Sequence, residues 1–272
     1  MKKILSTLSI GSALALSSTV FAVDYSDDIH KNDYKWLQFN LMYAYEELPR
    51  SPDAHSGHDY LEMEFGGRSG IFDLYGYIDI FDLTESSASD KDGKPKMFMK
   101  FAPRVSLDAV TGKDLSFGSV QELYFATLFN WGGGTEADFE PNNSFWGIGS
   151  DINVPWFGKV GLNFYGHYNI TAKDWNGYQI STNWFKPFYT LDNGSFVAYQ
   201  GYIDYQFGAG SSFQGNSQAS HGGVMFNGFY WHSDRYSVGY GFKLYNDVYL
   251  IEDTNAFEST GISHYVAATY KF

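Results

Sequence analysis

Apolar and polar side chains alternate along most of the chain after residue 35, as they do in β-strands that bury only one face. Leu61, Met63 and Phe65, for example, are interleaved with Glu62 and Glu64. Twelve segments with this alternation are bounded by turn residues, and they cover residues 36–45, 60–66, 72–80, 97–104, 122–130, 145–154, 160–170, 178–184, 197–205, 224–230, 236–244 and 262–272. The pattern predicts an all-β fold with 12 antiparallel strands.

The charged residues well inside these segments all fall on the parity opposite the apolar face. They are Glu62, Glu64, Asp73, Asp79, Lys100, Arg104, Glu122, Asp151, Asp204 and Lys243. A Lys or Arg in the middle of a lipid-facing surface costs roughly 2 to 4 kcal/mol, so a membrane barrel requires this segregation. We therefore predict a transmembrane antiparallel β-barrel with an apolar outside and a polar lumen.

The tenth segment, 224–230, alternates less clearly than the others because aromatic rings occur at both parities. We assign Val224, Phe226 and Tyr230 to the apolar face, and Asn227 and Phe229 to the polar face. This assignment adds Phe229 to the predicted lining of the lumen.

The connections between the segments also alternate in length. With the N-terminus in the periplasm, the outer connections are mostly long and the inner ones mostly short, as in outer-membrane barrels. Residues 107–118, which do not alternate, form a long inner exception. An even number of strands returns the C-terminus to the periplasmic side, so the sheet can close without an unpaired edge. The last strand ends in apolar-aromatic dyads at Phe272, which resembles the assembly signal of outer-membrane barrels; an ordinary buried terminal strand is the alternative.

Residues 1–22 have the features of an export signal: Lys2 and Lys3, an apolar stretch over 4–20, and a small-residue cleavage site at Ala22. We expect this segment to be removed, leaving residues 23–272 as a single barrel domain in the outer membrane of a Gram-negative bacterium. No later run of about 18 apolar residues indicates a membrane helix, and the alternative of a retained anchor helix fits the flanking residues less well.

The composition narrows the classes of function. A net charge of −13 makes nucleic acid an unfavourable partner. The absence of cysteine excludes a disulfide scaffold, thiolate metal sites and cysteine catalysis. Acids in the outer connections, such as Glu46, Glu85 and Asp253, are candidates for contact with lipopolysaccharide through divalent cations, although they also serve solubility.

Three short stretches resemble the Tsx family of nucleoside-specific outer-membrane channels. They are residues 103–108 (PRVSLD), 115–118 (LSFG) and 122–126 (ELYFA), within 98–126, the most specific part of a similarity that extends over the whole mature chain. The resemblance implies a twelve-stranded monomeric barrel with a narrow polar lumen. It also implies uptake of nucleosides or other small solutes, and outer loops to which bacteriophage tail proteins attach.

The polar parity predicts the lining of the lumen. Its acids are Glu62, Glu64, Asp73, Asp79, Glu122 and Asp204, its bases are Lys100, Arg104 and Lys243, and its rings are Tyr75, Tyr77, Tyr124, Tyr165, Tyr202 and Phe229. Aromatic faces stack on a base, and carboxylates accept hydrogen bonds from hydroxyl groups, so this lining suits a neutral polar ring compound. The function predicted is passive diffusion of small polar solutes such as nucleosides. In the alternative, opposite charges pair and close the lumen, which leaves a surface recognition barrel without transport.

Histidines suggest two further kinds of site, a catalytic one and a metal-binding one, but neither is complete in the sequence. A phospholipase would need a Ser and a His together on the lipid face, and only His264 lies clearly on that parity without a matched serine. His55 and His58 in the first outer loop lack a clear third metal ligand. We therefore predict no catalytic residue, no metal site and no cofactor.

Overall fold

The computed structural model describes Tyr25 and residues 27–52, 57–133, 141–210 and 218–272. These parts of the chain form a β-sheet and a short helix, α1 (Leu107–Thr111). The strands are β1 (Tyr34–Tyr45), β2 (His58–Ser69), β3 (Phe72–Phe81), β4 (Met97–Phe101), β5 (Arg104–Ser106), β6 (Val120–Gly132), β7 (Asn142–Val154), β8 (Gly158–Asn169), β9 (Asp174–Thr190), β10 (Phe196–Phe207), β11 (His221–His232), β12 (Tyr236–Asn246) and β13 (Gly261–Lys271). In this part of the chain, no helix is long and apolar enough to cross a membrane.

The sheet closes on itself because β1 pairs with both β2 and β13. β4 and β5 are two halves of one barrel strand: both pair with β3 and β6, and the register with β3 continues unchanged from Phe101 to Arg104. Pro103 separates them because it has no backbone N–H to donate. Its carbonyl oxygen still accepts hydrogen bonds from the N–H and the hydroxyl of Thr127, at 3.1 and 2.8 Å. The predicted closed barrel of 12 antiparallel strands is confirmed.

The two ends of the barrel differ in their connections. The end at which β1 begins and β13 ends, called here the terminal end, has the tight β2–β3 turn at Gly70, where φ is +54°. The exceptional connection after β5 also lies there, and it is partly helical, with Ser106 capping α1 by accepting from the Ala109 N–H. The other end, called the loop end, has the longer connections, including 82–96 and 247–260.

Residues directly opposite each other in an antiparallel pair point to the same face of the sheet. Glu62 lies opposite Asp79 and Glu64 lies opposite Tyr77, so these side chains share the inner face. On the outer face, Leu61 lies opposite Ile80 and Leu41. The alternation in the sequence therefore separates lipid-facing from lumen-facing side chains.

The assignment of faces in the tenth predicted strand, now β11, was wrong. Phe226 lies opposite Lys243 and therefore points inward, while Phe229 lies opposite Tyr199 and Tyr240 on the outer face and is 48% exposed. Glycines on the inner face of the neighbouring strand make room for the inward rings. A Cβ at Gly241 would lie 2.4 Å from the Phe226 ring.

Tyr230 also points inward, since it lies opposite Gly239, where an added Cβ would lie 2.3 Å from the Tyr230 ring. Val224, opposite the inward Tyr245, lies on the inner face as well. Asn227 points outward, where its side-chain oxygen accepts a hydrogen bond from the Tyr199 hydroxyl at 2.7 Å. All five residues of the prediction therefore lie on the face opposite to the one assigned.

Candidate functional site

The lumen brings together all the predicted lining residues except Phe229, and it sorts them by height. Arg104, Asp73, Glu122 and Tyr124 lie toward the terminal end, and Lys243 lies toward the loop end. Between them lie Glu62, Glu64, Asp79, Tyr75, Tyr77, Lys100, Tyr165, Tyr202 and Asp204. Their placement follows from the strand registers, and their role in binding solutes stays a prediction.

Charges at the terminal end are paired with each other. We call Arg68, Asp73, Arg104, Glu122, Asp151 and Lys159 the terminal-end cluster. Arg104 donates to Asp73 and to Asp151, both at 3.0 Å, and its guanidinium lies 3.9 Å from the centre of the Tyr124 ring. Arg68 forms a two-pronged ion pair with Glu122, which is fully buried. Every acid of this cluster therefore has a cationic partner.

The N-terminal segment reaches this cluster. The Tyr25 hydroxyl donates to Glu122 at 2.6 Å, and the Arg68 guanidinium lies 5.5 Å from the centre of its ring. Burial raises the pKa of the Tyr25 hydroxyl, and its hydrogen bond to the Glu122 carboxylate raises it further. Asp33, which accepts from the Gly70 N–H at 2.8 Å, ties the segment to the β2–β3 turn.

Another ion pair crosses the middle of the lumen. Lys100 on β4 donates to Asp204 on β10 at 3.1 Å, and Asp204 also accepts from the Ser181 hydroxyl at 2.6 Å. The Lys100 ammonium lies 5.4 Å from the centre of the Tyr202 ring and 5.9 Å from that of Tyr77. Because β4 and β10 are far apart in strand order, this contact spans the barrel and narrows it.

The opposite part of the middle lumen carries acids without cations. We call Glu62, Glu64 and Asp79 the acid wall. Within the described residues, none of the three takes part in an ion pair. Neutral groups contact the two glutamates instead: the amides of Gln38 and Asn40 and, at 2.8 Å, the Tyr75 hydroxyl. Glu62 also shares a hydrogen bond with Asp79, so one of these two carboxyl groups carries a proton.

Aromatic rings run along the acid wall. We call Trp36, Tyr75, Tyr77 and Phe98 the ring ladder; successive ring centres are 6.3, 6.2 and 6.0 Å apart. Tyr75 points inward, since its hydroxyl contacts Glu64, yet 36% of its surface is accessible. Accessible surface on an inward ring shows that the paired charges do not fill this height of the lumen.

At the loop end, the chain folds back into the barrel. Glu47 follows β1 and reaches Lys243 at 3.1 Å, the Tyr265 hydroxyl at 2.7 Å and Nε2 of His58 at 3.4 Å. Burial acts to raise the pKa of Glu47, but the charges of Lys243 and other nearby cations outweigh it, and the pKa lies well below its usual range.

Several of these residues were missed by the sequence analysis. Glu47 was assigned to an outer loop, and Arg68 lies beyond the predicted end of the second segment. Trp36 was included in a strand but not assigned to the lining. The signal available for Arg68 was its even spacing from Glu62 and Glu64, which places all three on one face.

His58 and His264 each contact a neighbouring side chain of the protein. Nδ1 of His58 lies 2.7 Å from Asp90, and the His264 ring on the outer face stacks on Tyr240, whose hydroxyl lies 2.7 Å from its Nδ1. His55 lies outside the described residues, as does the predicted signal segment 1–22.

Comparisons with solved structures identify the fold. The structure of NanC porin covers 86% of this chain and 100% of its own, with a TM-score of 0.50 and 5% sequence identity. At this identity the likeness shows a common porin-like barrel fold.

Sequence comparisons show the family. Residues 31–272 match the family described as "Nucleoside-specific channel-forming protein, Tsx". "Outer membrane protein OmpK" of Vibrio parahaemolyticus is 63% identical over 273 residues, which are 100% of both chains. "Nucleoside-specific channel-forming protein Tsx" of Salmonella typhimurium is 31% identical over 255 residues, which cover 88% of this chain and 86% of the relative.

These findings confirm two predictions made from the sequence: the resemblance to Tsx carried by residues 103–126, and a location in the outer membrane. Similarity to OmpK, which the opening residues 24–27 and 36–40 also indicate, extends over the full length. The chain is therefore a member of the Tsx family of outer-membrane channels.

Proposed function

We propose that the protein lets nucleosides diffuse passively across the outer membrane. The observation that carries the proposal is the ring ladder beside the acid wall, in which the accessible ring of Tyr75 donates from its hydroxyl to Glu64. Stacking of a base on an aromatic side chain contributes about 1 to 3 kcal/mol, and carboxylates accept hydrogen bonds from the hydroxyls of a sugar. A nucleoside has both groups, so it can exchange contacts along the ladder as it moves.

The charge of the lumen favours neutral or cationic solutes. Because the hydrogen-bond partners of Glu64 are all neutral, its negative potential is not cancelled locally. A phosphorylated nucleoside would meet repulsion at this height, which a nucleoside avoids. The Tsx relatives that share 31% identity have nucleoside-specific names, which supports the same substrate class for this chain.

Uptake into proteoliposomes tests this function. Radiolabelled thymidine should enter vesicles that contain the wild-type protein faster than empty vesicles, and Tyr75→Ala should slow entry at low substrate concentration. Phe229→Ala is the matched control, because it removes an aromatic ring from the outer face of the same barrel. Equal entry into empty and protein-containing vesicles would contradict the proposal and favour a closed recognition barrel.

The remaining partners stay predictions. Lipopolysaccharide would meet the acids of the loop end through divalent cations, and phage tail proteins would attach to the same loops of a monomeric barrel. Replacement of the exposed residues 86–88 in the connection 82–96 is expected to change phage adsorption while leaving thymidine entry unchanged, because these residues lie outside the strands that line the lumen.

A further inference from the structure

The turn that follows β12 has an unusual backbone. Asp247, Tyr249 and Leu250 have φ values of +41°, +60° and +63°, and none of them is glycine. L-residues with side chains rarely adopt this left-handed region, and a leucine or tyrosine does so at a cost. Strain of this kind persists only where the surrounding structure holds it, and it clusters at sites that contact ligands.

Contacts on both sides hold this turn in place. Val248 and Leu250 are 1% and 2% exposed, and Val248 packs in an apolar cluster with Leu48. Farther along the same loop, the Asp253 carboxylate accepts from the Ser259 N–H at 2.8 Å. Because both neighbours of Tyr249 are buried, its own side chain projects on a different side of the turn.

The turn lies inside the mouth of the barrel, because Val248 packs in one apolar cluster with Tyr245 and Val224, which both point inward. The Tyr249 ring keeps 45% of its surface accessible there. Nevertheless, burial raises the pKa of its hydroxyl, with Lys243 acting in the opposite direction and Tyr202 adding to the increase. The accessible ring therefore lies at the mouth of the barrel, beside the inward Lys243 of β12 and Tyr202 of β10.

We propose that Tyr249 is a specificity-determining residue of the channel, which narrows the loop end and presents a stacking face to ring-shaped solutes near Tyr202. The strained backbone fixes the ring at this height, so a solute must pass beside it before reaching the ring ladder. The stacking role rests on the proposed function, whereas the narrowing role does not.

Single-channel recording in planar bilayers tests both roles. Tyr249→Asn removes the ring, and asparagine tolerates a positive φ, so the turn keeps its shape. We expect larger neutral polyethylene glycols to enter this variant than enter the wild type. We also expect the thymidine concentration for half block to rise at least about fivefold, the lower limit for loss of one base–aromatic stack. Tyr249→Phe should keep both properties within about twofold, since the ring stays.

Trp156→Ala is the matched control. Trp156 also combines a ring with a positive φ, +60°, but it is 88% exposed in the β7–β8 turn at the terminal end. It should behave like the wild type. If Tyr249→Asn also keeps the wild-type polymer cut-off and the wild-type block, the proposal is wrong.

The same recordings test nucleoside passage separately from the narrowing role of Tyr249. If thymidine fails to block the wild type, nucleoside passage and the stacking role both fail. The narrowing role then depends on the polymer cut-off, which must rise in Tyr249→Asn and stay unchanged in Trp156→Ala. An unchanged cut-off in both variants contradicts it.

Discussion

The terminal-end cluster and the acid wall each contain three carboxylates on the inner face of the same barrel, but only the carboxylates of the cluster have cationic partners. Asp73, Asp151 and Glu122 are each bound by an arginine within about 3 Å. Glu62, Glu64 and Asp79 have no cation at ion-pair distance among the described residues. The first arrangement joins strands together, and the second leaves negative potential and hydrogen-bonding capacity for a solute.

The partners of a carboxylate distinguish lumen charges that stabilise the barrel from lumen charges that are available to a solute. A carboxylate that shares an arginine with a second carboxylate on another strand, as Asp73 does with Asp151, crosslinks the wall of the barrel. A carboxylate whose partners are amides and a tyrosine hydroxyl, as for Glu64, can exchange those neutral partners for the hydroxyls of a solute. We therefore expect charge in the lumen to act on solutes where it is unpaired.

The largest effect on stability is expected for Arg104→Ala. Removal of the guanidinium leaves Asp73 and Asp151, which are 11% and 5% exposed, without this partner. Breaking a buried pair in this way costs roughly 3 to 5 kcal/mol. Urea titration of the protein in lipid vesicles should show the loss, and an unchanged midpoint would mean that the cluster does not stabilise the barrel.

Glu47→Gln should have the next largest effect, because Glu47 is also paired. Loss of its charged hydrogen bonds to Lys243 and Tyr265 is expected to cost about 1.5 to 3 kcal/mol near neutral pH. The pKa of Glu47 is lower in the folded protein than the unfolded value of about 4.3, so its stabilisation is complete above that pH and is lost as the pH falls through the folded pKa.

The pH dependence provides the check on Glu47. The difference in unfolding free energy between the wild type and Glu47→Gln should be constant above about pH 5 and should shrink below about pH 4. Comparing the two proteins removes the contribution of other carboxylates. A difference that grows as the pH falls would contradict the ion-pair assignment.

A smaller effect on stability, but a clear one on conduction, is expected when Glu62 and Glu64 are both changed to Gln. Each replacement keeps the size of the side chain and one acceptor oxygen, and the new amide N–H can donate to a neighbouring oxygen such as the Tyr75 hydroxyl, so unfolding should shift by less than about 1 kcal/mol. The reversal potential in a KCl gradient should show cation preference in the wild type and a weaker preference in the double variant. Equal reversal potentials would show that the acid wall does not determine ion selectivity.

The smallest effect is expected for Phe229→Ala, which alters the outer face. Phe229 is 48% exposed toward lipid and stacks on Tyr199 with ring centres 5.2 Å apart. Ion selectivity and conductance should match those of the wild type. A changed conductance would indicate that Phe229 faces the lumen, as the sequence analysis predicted.

The barrel and most of its lining were predictable because lipid imposes a strict rule on one parity of each strand. Every strand charge used in the prediction points inward, including Lys100 and Asp204 on distant strands. The rule fails where both parities carry rings, as around Phe226 and Phe229. There the choice of face depends on Gly239 and Gly241 of the next strand, which alternation within one strand does not reveal.

The parts that were missed depend on tertiary folding of loops. Glu47 and Tyr249 belong to connections that alternation assigns to the outside, but burial of Leu48 and Val248 draws these connections into the barrel. Arg68 was missed because β2 continues past residue 66. The positions of such residues depend on contacts between distant segments, so alternation along one strand does not predict them.

Single-channel current through the purified protein in a planar bilayer tests the account most directly. We predict a steady ionic current in the wild type, reversible block by thymidine, and block that requires a higher thymidine concentration in Tyr75→Ala but not in Phe229→Ala. Absence of any current through correctly folded protein would contradict an open lumen, and block that is equal in all three proteins would contradict the role of the ring ladder.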